Sequence, residues 1–235
     1  MASTAPASET LEIVPSPDRT PIAVWRTGDR PPLVLVHGAT ADHRRWAPVL
    51  PALAGRFTVL AVDRRGRGAS GDGPVYALER EVEDVAAVVE WAGAGARLLG
   101  HSHGAVCALE AARLAGDLAQ EDGEQLVAAL PEEQIDLMRS LPAWDGRLAA
   151  AHTIPREERA NREYEFDPRR FVAVDVPTLL LVGGDSPAAF REAAEAAQAA
   201  LPYCRLAVMP GQRHVAMDTA PALFTTEILT FLKGD

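Results

Sequence analysis

Short, unbroken apolar runs recur along the chain, and most of them end at a glycine or an acidic residue. Runs of this kind are typical of strands that are buried on both faces of a parallel sheet. They are Leu33–Val36, Phe57–Val62, Arg97–Leu99, Thr178–Val182 and Leu206–Met209. An N-terminal hairpin is predicted before them, over Leu11–Val14 and Pro21–Trp25.

Segments with apolar residues at helical spacing separate these runs. They are Leu78–Trp91, Ala105–Leu114, Phe190–Leu201 and Pro221–Leu232. Strands that alternate with helices predict a doubly wound, mostly parallel α/β sheet, in which ligands bind at the carboxyl ends of the strands. The length of 235 residues suits one domain, so we expect a single α/β unit over 1–235.

The stretch 116–172 interrupts the alternation, because it is acidic and helix-prone and offers no convincing strand. We expect it to form a helical, cap-like insertion over the strand ends. Leu137, Leu141, Trp144 and Leu148 recur at i, i+4, i+7 and i+11, which places them on one helical face. Leu141, Trp144 and Leu148 are therefore predicted to face the pocket and contact the substrate.

Charge and composition narrow the classes of function. The formal net charge of −10 argues against a nucleic-acid partner, since neutralising phosphates requires a basic surface. Two cysteines are too few for a disulfide framework. The N-terminus lacks a signal-peptide pattern, and no apolar run approaches the roughly 20 residues of a membrane span. We expect a cytoplasmic protein with a small-molecule substrate and no membrane partner.

The strongest chemical signal is Gly100-His101-Ser102-His103-Gly104, which matches G-x-S-x-G. An apolar run precedes it and an alanine-rich helix follows, the context of a nucleophile elbow that exposes a serine hydroxyl. The glycines suit a tight turn with no room for side chains. The alternative is an ordinary Gly/Ser loop.

A serine hydroxyl needs a base, and two later residues could complete a triad with Ser102. His214 lies in the loop between the last strand and the last helix, from which it could reach the serine; a solvated loop histidine is the alternative. Asp185 ends a strand after two glycines and could orient the imidazole, although it could also cap the following helix. The chain order Ser, Asp, His is the one found with this elbow.

Residues around the turn and after the third strand suggest an oxyanion hole. Gly38 permits close backbone approach, so the N–H groups of Ala39 and His103 could hold a developing oxyanion; a plain strand-exit turn is the alternative. We expect the side chain of His103 to pack near the substrate and His101 to belong to the core. No cluster has the spacing of a metal site, and no cofactor is expected.

These motifs, together with Asp63-Arg64-Arg65-Gly66-Arg67-Gly68-Ala69-Ser70, resemble the α/β-hydrolase superfamily and, more narrowly, its small bacterial esterase-like members. The resemblance covers residues 10–115 and 172–233. It implies an eight-stranded sheet under a helical cap, with Ser102, Asp185 and His214 as the triad and Ala39 and His103 as oxyanion donors.

One departure from the family pattern concerns the sheet. The family has a further parallel strand after the elbow helix, whereas here Leu114-Ala115-Gly116 leads directly into an acidic stretch. We therefore predict a shortened cap and a missing central strand. Thr178–Val182 should pair directly beside Arg97–Leu99; the alternative, a gap filled by cap helices, would leave backbone groups unpaired.

The residues favour hydrolysis of a small carboxylic ester through an acyl-enzyme. Acyl transfer or perhydrolysis would use the same triad with another nucleophile in the second step. A non-catalytic ligand-binding member of the fold is the alternative outside enzymology.

Overall fold

The computed structural model describes residues 9–116, 126–129 and 149–233. Eight strands form one sheet in this part of the chain, in the order β1-β2-β4-β3-β5-β6-β7-β8. The strands are β1 Thr10–Pro15, β2 Pro21–Thr27, β3 Pro32–Val36, β4 Thr58–Val62, β5 Arg97–His101, β6 Leu126–Ala129, β7 Thr178–Gly183 and β8 Cys204–Met209. The hairpin β1–β2 joins β4 in antiparallel pairing, and the strands from β4 to β8 pair in parallel.

The described residues contain seven α-helices; five precede the last strand, β8, and two follow it. They are α1 Leu50–Ala54, α2 Leu78–Ala92, α3 His103–Gly116, α4 Ile154–Glu163, α5 Ala188–Ala200, α6 Ala216–Thr219 and α7 Pro221–Leu232. The predicted doubly wound α/β fold is thereby confirmed. No helix among the described residues has both the length and the apolar character that crossing a bilayer requires.

The prediction of a missing central strand is wrong. Strand β6 lies between β5 and β7 and pairs in parallel with both, so that Leu98 is opposite Leu126 and Leu126 is opposite Thr178. The strand has four residues, Leu-Val-Ala-Ala, inside a stretch that reads as helical from its glutamates and alanines. Two neighbouring strands supply hydrogen-bond partners for its backbone N–H and C=O groups. It therefore forms without the long run of β-branched residues from which a strand is usually predicted.

Two apolar cores cover the faces of the sheet. On one face Val34, Val36 and Leu98 pack with residues of α2 and α3 such as Val85 and Ala108. On the other face Leu35, Leu99 and Leu181 pack with α1 and α7, through Leu53 and Ile228 among others. Because side chains alternate along each strand, a continuous apolar run such as Leu33–Val36 supplies both cores at once.

The expected insertion over 116–172 is described only in part. Helix α4 lies within it, next to short 3-10 helices at Ala151–Thr153 and Pro168–Arg170. The three residues predicted to contact the substrate, Leu141, Trp144 and Leu148, lie outside the described residues.

Candidate active site

The turn between β5 and α3 carries Ser102 in a backbone conformation that L-residues rarely adopt. Its φ is +60°, in the left-handed region. The Ser102 carbonyl accepts a hydrogen bond from the Ala105 N–H at 2.8 Å, so the helix begins at once after the turn. Such strain at a single serine, held by a buried strand on one side and a helix on the other, is typical of a functional position.

The glycines on either side of Ser102 are required by close packing. A Cβ at Gly100 would lie 2.6 Å from the Ala105 Cα, and a Cβ at Gly104 would lie 2.5 Å from the His37 carbonyl oxygen. Both approaches are shorter than real Cβ contacts, and the obstructing atoms belong to backbone. The spacing in G-x-S-x-G thus follows from how tightly the strand, the turn and the helix approach one another.

A cavity of about 50 Å³ opens beside Ser102, and it brings three of the predicted site residues together. Its lining comprises Gly38, Ala39, Ala41, Arg45, His101, Ser102, His214 and Val215. Ser102 is 7% exposed and His214 is half-buried. The predicted nucleophile, the predicted base and one predicted oxyanion donor, Ala39, therefore share one small space.

His101 belongs to this site, although we predicted a core residue. It is 4% exposed and stacks on His214, with ring centroids 4.3 Å apart and planes at 15°. The His101 Nε2 lies 3.3 Å from the His214 carbonyl oxygen. His101, the residue just before the predicted nucleophile, thus contacts the loop that carries the predicted base. The prediction was right about the burial of His101 but missed this contact.

The loop after β3 is fixed by His37. The backbone N–H of Arg64 donates to His37 Nε2 at 3.1 Å, so the ring proton resides on Nδ1, which donates to the Gly38 carbonyl at 2.8 Å. Complete burial, together with the charges of Arg64 and Arg67, lowers the pKa of His37 to about 3, so this ring is neutral near pH 7.

Gly38 brings this loop into contact with Ser102. A Cβ at Gly38 would lie 2.6 Å from Ser102 Cβ and 3.1 Å from Ser102 Oγ. The close approach places the next residue, Ala39, at the cavity wall. The His103 N–H lies in the first turn of α3, where backbone donors lack intrahelical partners and the helix dipole favours negative charge. This arrangement suits the predicted pair of oxyanion donors.

Asp185 is placed near the His214 loop by its backbone. Its N–H donates to the Gln212 carbonyl at 2.9 Å, which ties the end of β7 to the segment that precedes His214. The Asp185 side chain is exposed. Within the described part of the chain, no ion pair or hydrogen bond joins its carboxylate to His214, so its orienting role stays a prediction.

The side chain of His103 does not line the cavity with Ser102, contrary to our expectation. This side chain is 2% exposed, and its Nε2 donates to Glu81 Oε2 at 2.7 Å while its Nδ1 lies 2.7 Å from Asn161 Oδ1. Both ring nitrogens thus face α2 and α4. The physical reason is that a buried imidazole needs partners for its ring nitrogens, and His103 finds them in Glu81 on α2 and Asn161 on α4.

His103 belongs to a buried ionic cluster beside the turn between β5 and α3, which carries the predicted nucleophile, Ser102, and is called the nucleophile turn below. We call it the rear cluster; it consists of Arg64, Arg67, Glu81, His103 and Glu157. Arg64 Nη2 lies 2.5 Å from both Glu81 Oε2 and Glu157 Oε1, and Arg67 Nη2 lies 2.7 Å from Glu157 Oε2. All five side chains are 2% exposed or less.

The two carboxylates of the rear cluster are held in their charged form. Burial by itself would raise the pKa of Glu81, but Arg64, His103 and Arg67 lower it well below its ordinary value. Burial acts on Glu157 in the same direction and is likewise outweighed, chiefly by Arg64 and Arg67, so its pKa is lowered too. Because Glu157 lies on α4, the cluster joins the expected cap segment to the nucleophile turn through charge.

A second buried ion pair lies at the cavity itself, and the sequence did not point to it. Arg45 is 2% exposed, and its Nη1 donates to Asp218 Oδ1 at 2.8 Å. The partners are separated by 173 residues. Arg45 also lines the cavity with Ser102. An apolar surrounding makes such a pair costly unless its donors find acceptors.

Two clusters of potential metal ligands occur among the described residues, Glu81–His103–Cys107 and Asp42–His43–Asp63, each with ligand atoms within 4.8 Å of one another. Neither suits a cation. Glu81 is already paired with Arg64 and Arg67, whose charges repel a metal. Asp63 already accepts from the Trp25 ring N–H and the Ala69 N–H, both at 2.9 Å.

Comparison with known families agrees with this geometry. The sequence model of the family described as "Alpha/beta hydrolase family" matches residues 33–227 of the chain. The chain belongs to the alpha/beta hydrolase family. A solved structure of an alpha/beta hydrolase from Sphaerobacter thermophilus is 32% identical, with a TM-score of 0.79 and coverage of 94% of this chain and 99% of that one.

Curated relatives match shorter parts of the hydrolase. "2-(acetamidomethylene)succinate hydrolase" from Mesorhizobium japonicum is 34% identical over 149 residues, which are 62% of this chain and 51% of that protein. "Probable oxidoreductase EphD" from Mycobacterium tuberculosis is 36% identical over 119 residues, 47% of this chain and 20% of that protein. The chain thus spans about half the length of the first and a fifth of the second.

Proposed function

We propose that this hydrolase cleaves a small carboxylic ester through an acyl-enzyme formed on Ser102. The observation that carries the proposal is the strained turn at Ser102, which opens into the same cavity as His214 and Ala39. Membership of a hydrolase family and similarity to a curated hydrolase support cleavage by water. The ester as the bond cleaved is our inference from the serine, the histidine and the predicted oxyanion donors.

In the proposed first step, Ser102 Oγ attacks the ester carbonyl carbon while His214 takes the hydroxyl proton. The carbonyl oxygen becomes an oxyanion, which the N–H groups of Ala39 and His103 stabilise at the start of α3. The carbon–oxygen bond to the alcohol then breaks, and His214 gives its proton to the departing oxygen. The product at this stage is an ester between Ser102 and the acyl group.

In the second step, water attacks the acyl-enzyme as His214 removes its proton. The bond to Ser102 Oγ breaks, the proton returns to the serine, and the carboxylic acid leaves. Asp185 is the proposed partner of the His214 ring; its carboxylate would have to turn from its exposed position toward Nδ1. The backbone hydrogen bond from the Asp185 N–H to the Gln212 carbonyl, which ties the end of β7 to the segment before His214, supports this pairing.

The test is turnover of short-chain p-nitrophenyl esters by Ser102→Ala and the parent. Removal of the nucleophile should lower kcat/KM on the order of 10⁴-fold or more, because the structure places no second hydroxyl of the described residues in the cavity. Thermal unfolding of both proteins is the control for folding. Equal rates in the two proteins would reject the serine mechanism, and a parent without turnover of any ester would favour a binding function.

A further inference from the structure

Arg45 is a buried cation whose hydrogen bonds are incomplete. Of its three guanidinium nitrogens, only Nη1 has an acceptor, the Asp218 carboxylate. Nε and Nη2 are buried and have no acceptor among the described residues. Buried donors without acceptors are rare in native proteins, so such a pair at a cavity wall calls for an explanation.

Other buried arginines among the described residues do not leave two guanidinium nitrogens without acceptors. In Arg65, which is fully buried, Nε and Nη2 donate to Asp84, and Nη1 donates to Asp18. Arg64 and Arg67 each leave only Nε without an acceptor, and neither lines the cavity that contains Ser102. Arg45 leaves two nitrogens unpaired and does line it.

The identity of the two unpaired nitrogens defines what would fit them. Nε–H and one N–H of Nη2 point in parallel from the same edge of the planar guanidinium. This edge matches the two oxygens of a carboxylate, which accept both hydrogen bonds at once. Asp218 holds the opposite end of the group through Nη1 and thereby fixes its orientation.

We propose that Arg45 forms a carboxylate subsite beside Ser102, so that the enzyme prefers small esters that carry a second, free carboxylate. This inference rests on the proposed function, since it places the ester carbonyl at Ser102 and the free carboxylate at Arg45 within one cavity. The negative charge of Asp218 repels a dianionic phosphonate more strongly than a monoanionic carboxylate, which favours the carboxylate as the ligand of Arg45.

The first test compares esters that differ only in the second group. Ethyl hydrogen succinate carries a carboxylate, ethyl succinamate replaces it with a neutral amide, and ethyl 4-methylpentanoate replaces it with an isopropyl group of similar shape. We expect kcat/KM for the carboxylate to exceed that for either neutral ester on the order of 10-fold or more. Equal values, or a preference for ethyl 3-phosphonopropanoate, would overturn the proposal.

The second test ties the preference to Arg45. Arg45→Lys keeps a cation for Asp218 but lacks the parallel donors, so the ratio of kcat/KM between the carboxylate and isopropyl esters should fall on the order of 10-fold. A ratio within one protein sample is independent of the folded fraction. Arg65→Lys, a buried arginine with all nitrogens paired, is the matched control and should keep the parent ratio. An unchanged ratio in Arg45→Lys contradicts the proposal.

A binding measurement separates failure of this inference from failure of the proposed function. Calorimetric titration of Ser102→Ala protein with ethyl hydrogen succinate requires no turnover. We expect binding that is tighter than for ethyl succinamate and that loses this advantage when Arg45→Lys is added. That outcome supports the subsite even if the serine mechanism is wrong, whereas equal binding of the two esters overturns it. If Arg45→Lys protein fails to fold, the double variant Arg45→Met/Asp218→Leu replaces it.

Discussion

Two groups of buried polar side chains meet at the nucleophile turn, and they differ in how completely they are paired. The rear cluster joins two arginines, two glutamates and His103 through contacts of 2.5 to 3.3 Å. In the cavity on the other side, Arg45 keeps two nitrogens without acceptors among the described residues, and Ser102 is held at a strained φ.

This difference in pairing suggests that the rear cluster contributes to the stability of the fold and that the cavity contributes to the reaction. A buried charge network that is nearly complete holds elements together, and here it holds α2, α3, α4 and the loop after β4. Buried donors that lack acceptors within the chain indicate a site whose acceptors come from a bound ligand. Variants of the rear cluster should therefore change the free energy of unfolding, and variants of the cavity should change turnover.

The largest expected effect is that of His214→Ala. Without a base, the Ser102 hydroxyl loses its activation, and kcat/KM for p-nitrophenyl esters should fall on the order of 10⁴-fold or more. His152→Ala removes an exposed histidine and is the matched control. Steady-state kinetics with a thermal-unfolding check would measure both, and similar rates in His214→Ala and parent would remove His214 from the mechanism.

Asp185→Asn should have a smaller effect on turnover. The acid of a triad contributes less than the nucleophile or the base when removed alone, so we expect a loss on the order of 10³-fold in kcat. Asp175→Asn, another exposed aspartate that precedes β7, should retain parent activity. A loss of less than about threefold in Asp185→Asn would mean that another group, or none, orients His214.

Gly38→Ala tests the close approach of the loop after β3, which carries the proposed oxyanion donor Ala39, to Ser102. The added Cβ meets Ser102 Cβ at 2.6 Å, so the loop must move, and a shift near 1 Å should cost on the order of 10²-fold in kcat. At Gly55 an added Cβ meets its nearest atoms at 3.5 Å, so Gly55→Ala is the control. Parent activity in Gly38→Ala would show that the loop yields without disturbing the reaction.

Glu157→Gln tests the rear cluster and should act on stability. It leaves Arg64 and Arg67 with one buried charge fewer to offset them, and we expect the free energy of unfolding to fall by about 3 kcal/mol. Per folded molecule, kcat should stay near that of the parent. Glu158→Gln, one residue further and exposed, provides the control. Urea unfolding would measure the effect; an undiminished stability with reduced kcat would reverse the assignment of the two regions.

The stability effect should depend on pH. Because the pKa values of Glu81 and Glu157 are lowered in the folded protein, their contribution to stability is complete above the ordinary value of 4.5 and is lost as the pH falls below it. The unfolding curves of parent and Glu157→Gln should therefore approach each other as the pH falls below the ordinary value of 4.5. Curves that diverge over this range would contradict the assigned direction of the pKa shifts.

Much of the fold was predictable because its signals are local. Runs such as Leu33–Val36 carry their strand assignment in consecutive residues, and the G-x-S-x-G spacing reflects contacts within five residues of one turn. Strand β6 could not be predicted from such local signals. Its four residues form a strand because they pair with β5 and β7, not because of their own pattern.

The missed parts of the site are set by contacts between distant segments. Arg45 and Asp218 lie 173 residues apart, and Glu157 meets Arg64 across 93. No periodicity connects such residues. A signal was nevertheless present for the rear cluster, because three arginines in Arg64-Arg65-Gly66-Arg67 immediately after a buried strand need acidic partners elsewhere in the chain.

The central claim, that Ser102 is an activated nucleophile, is tested most directly by covalent labelling with a fluorophosphonate. Intact-mass spectrometry of the parent should show one adduct, and peptide mapping should locate it at Ser102, because a serine must be deprotonated by a nearby base to displace fluoride. The adduct should be absent in Ser102→Ala and strongly reduced in His214→Ala. An adduct on another residue, or an unlabelled parent with intact thermal unfolding, would contradict the account.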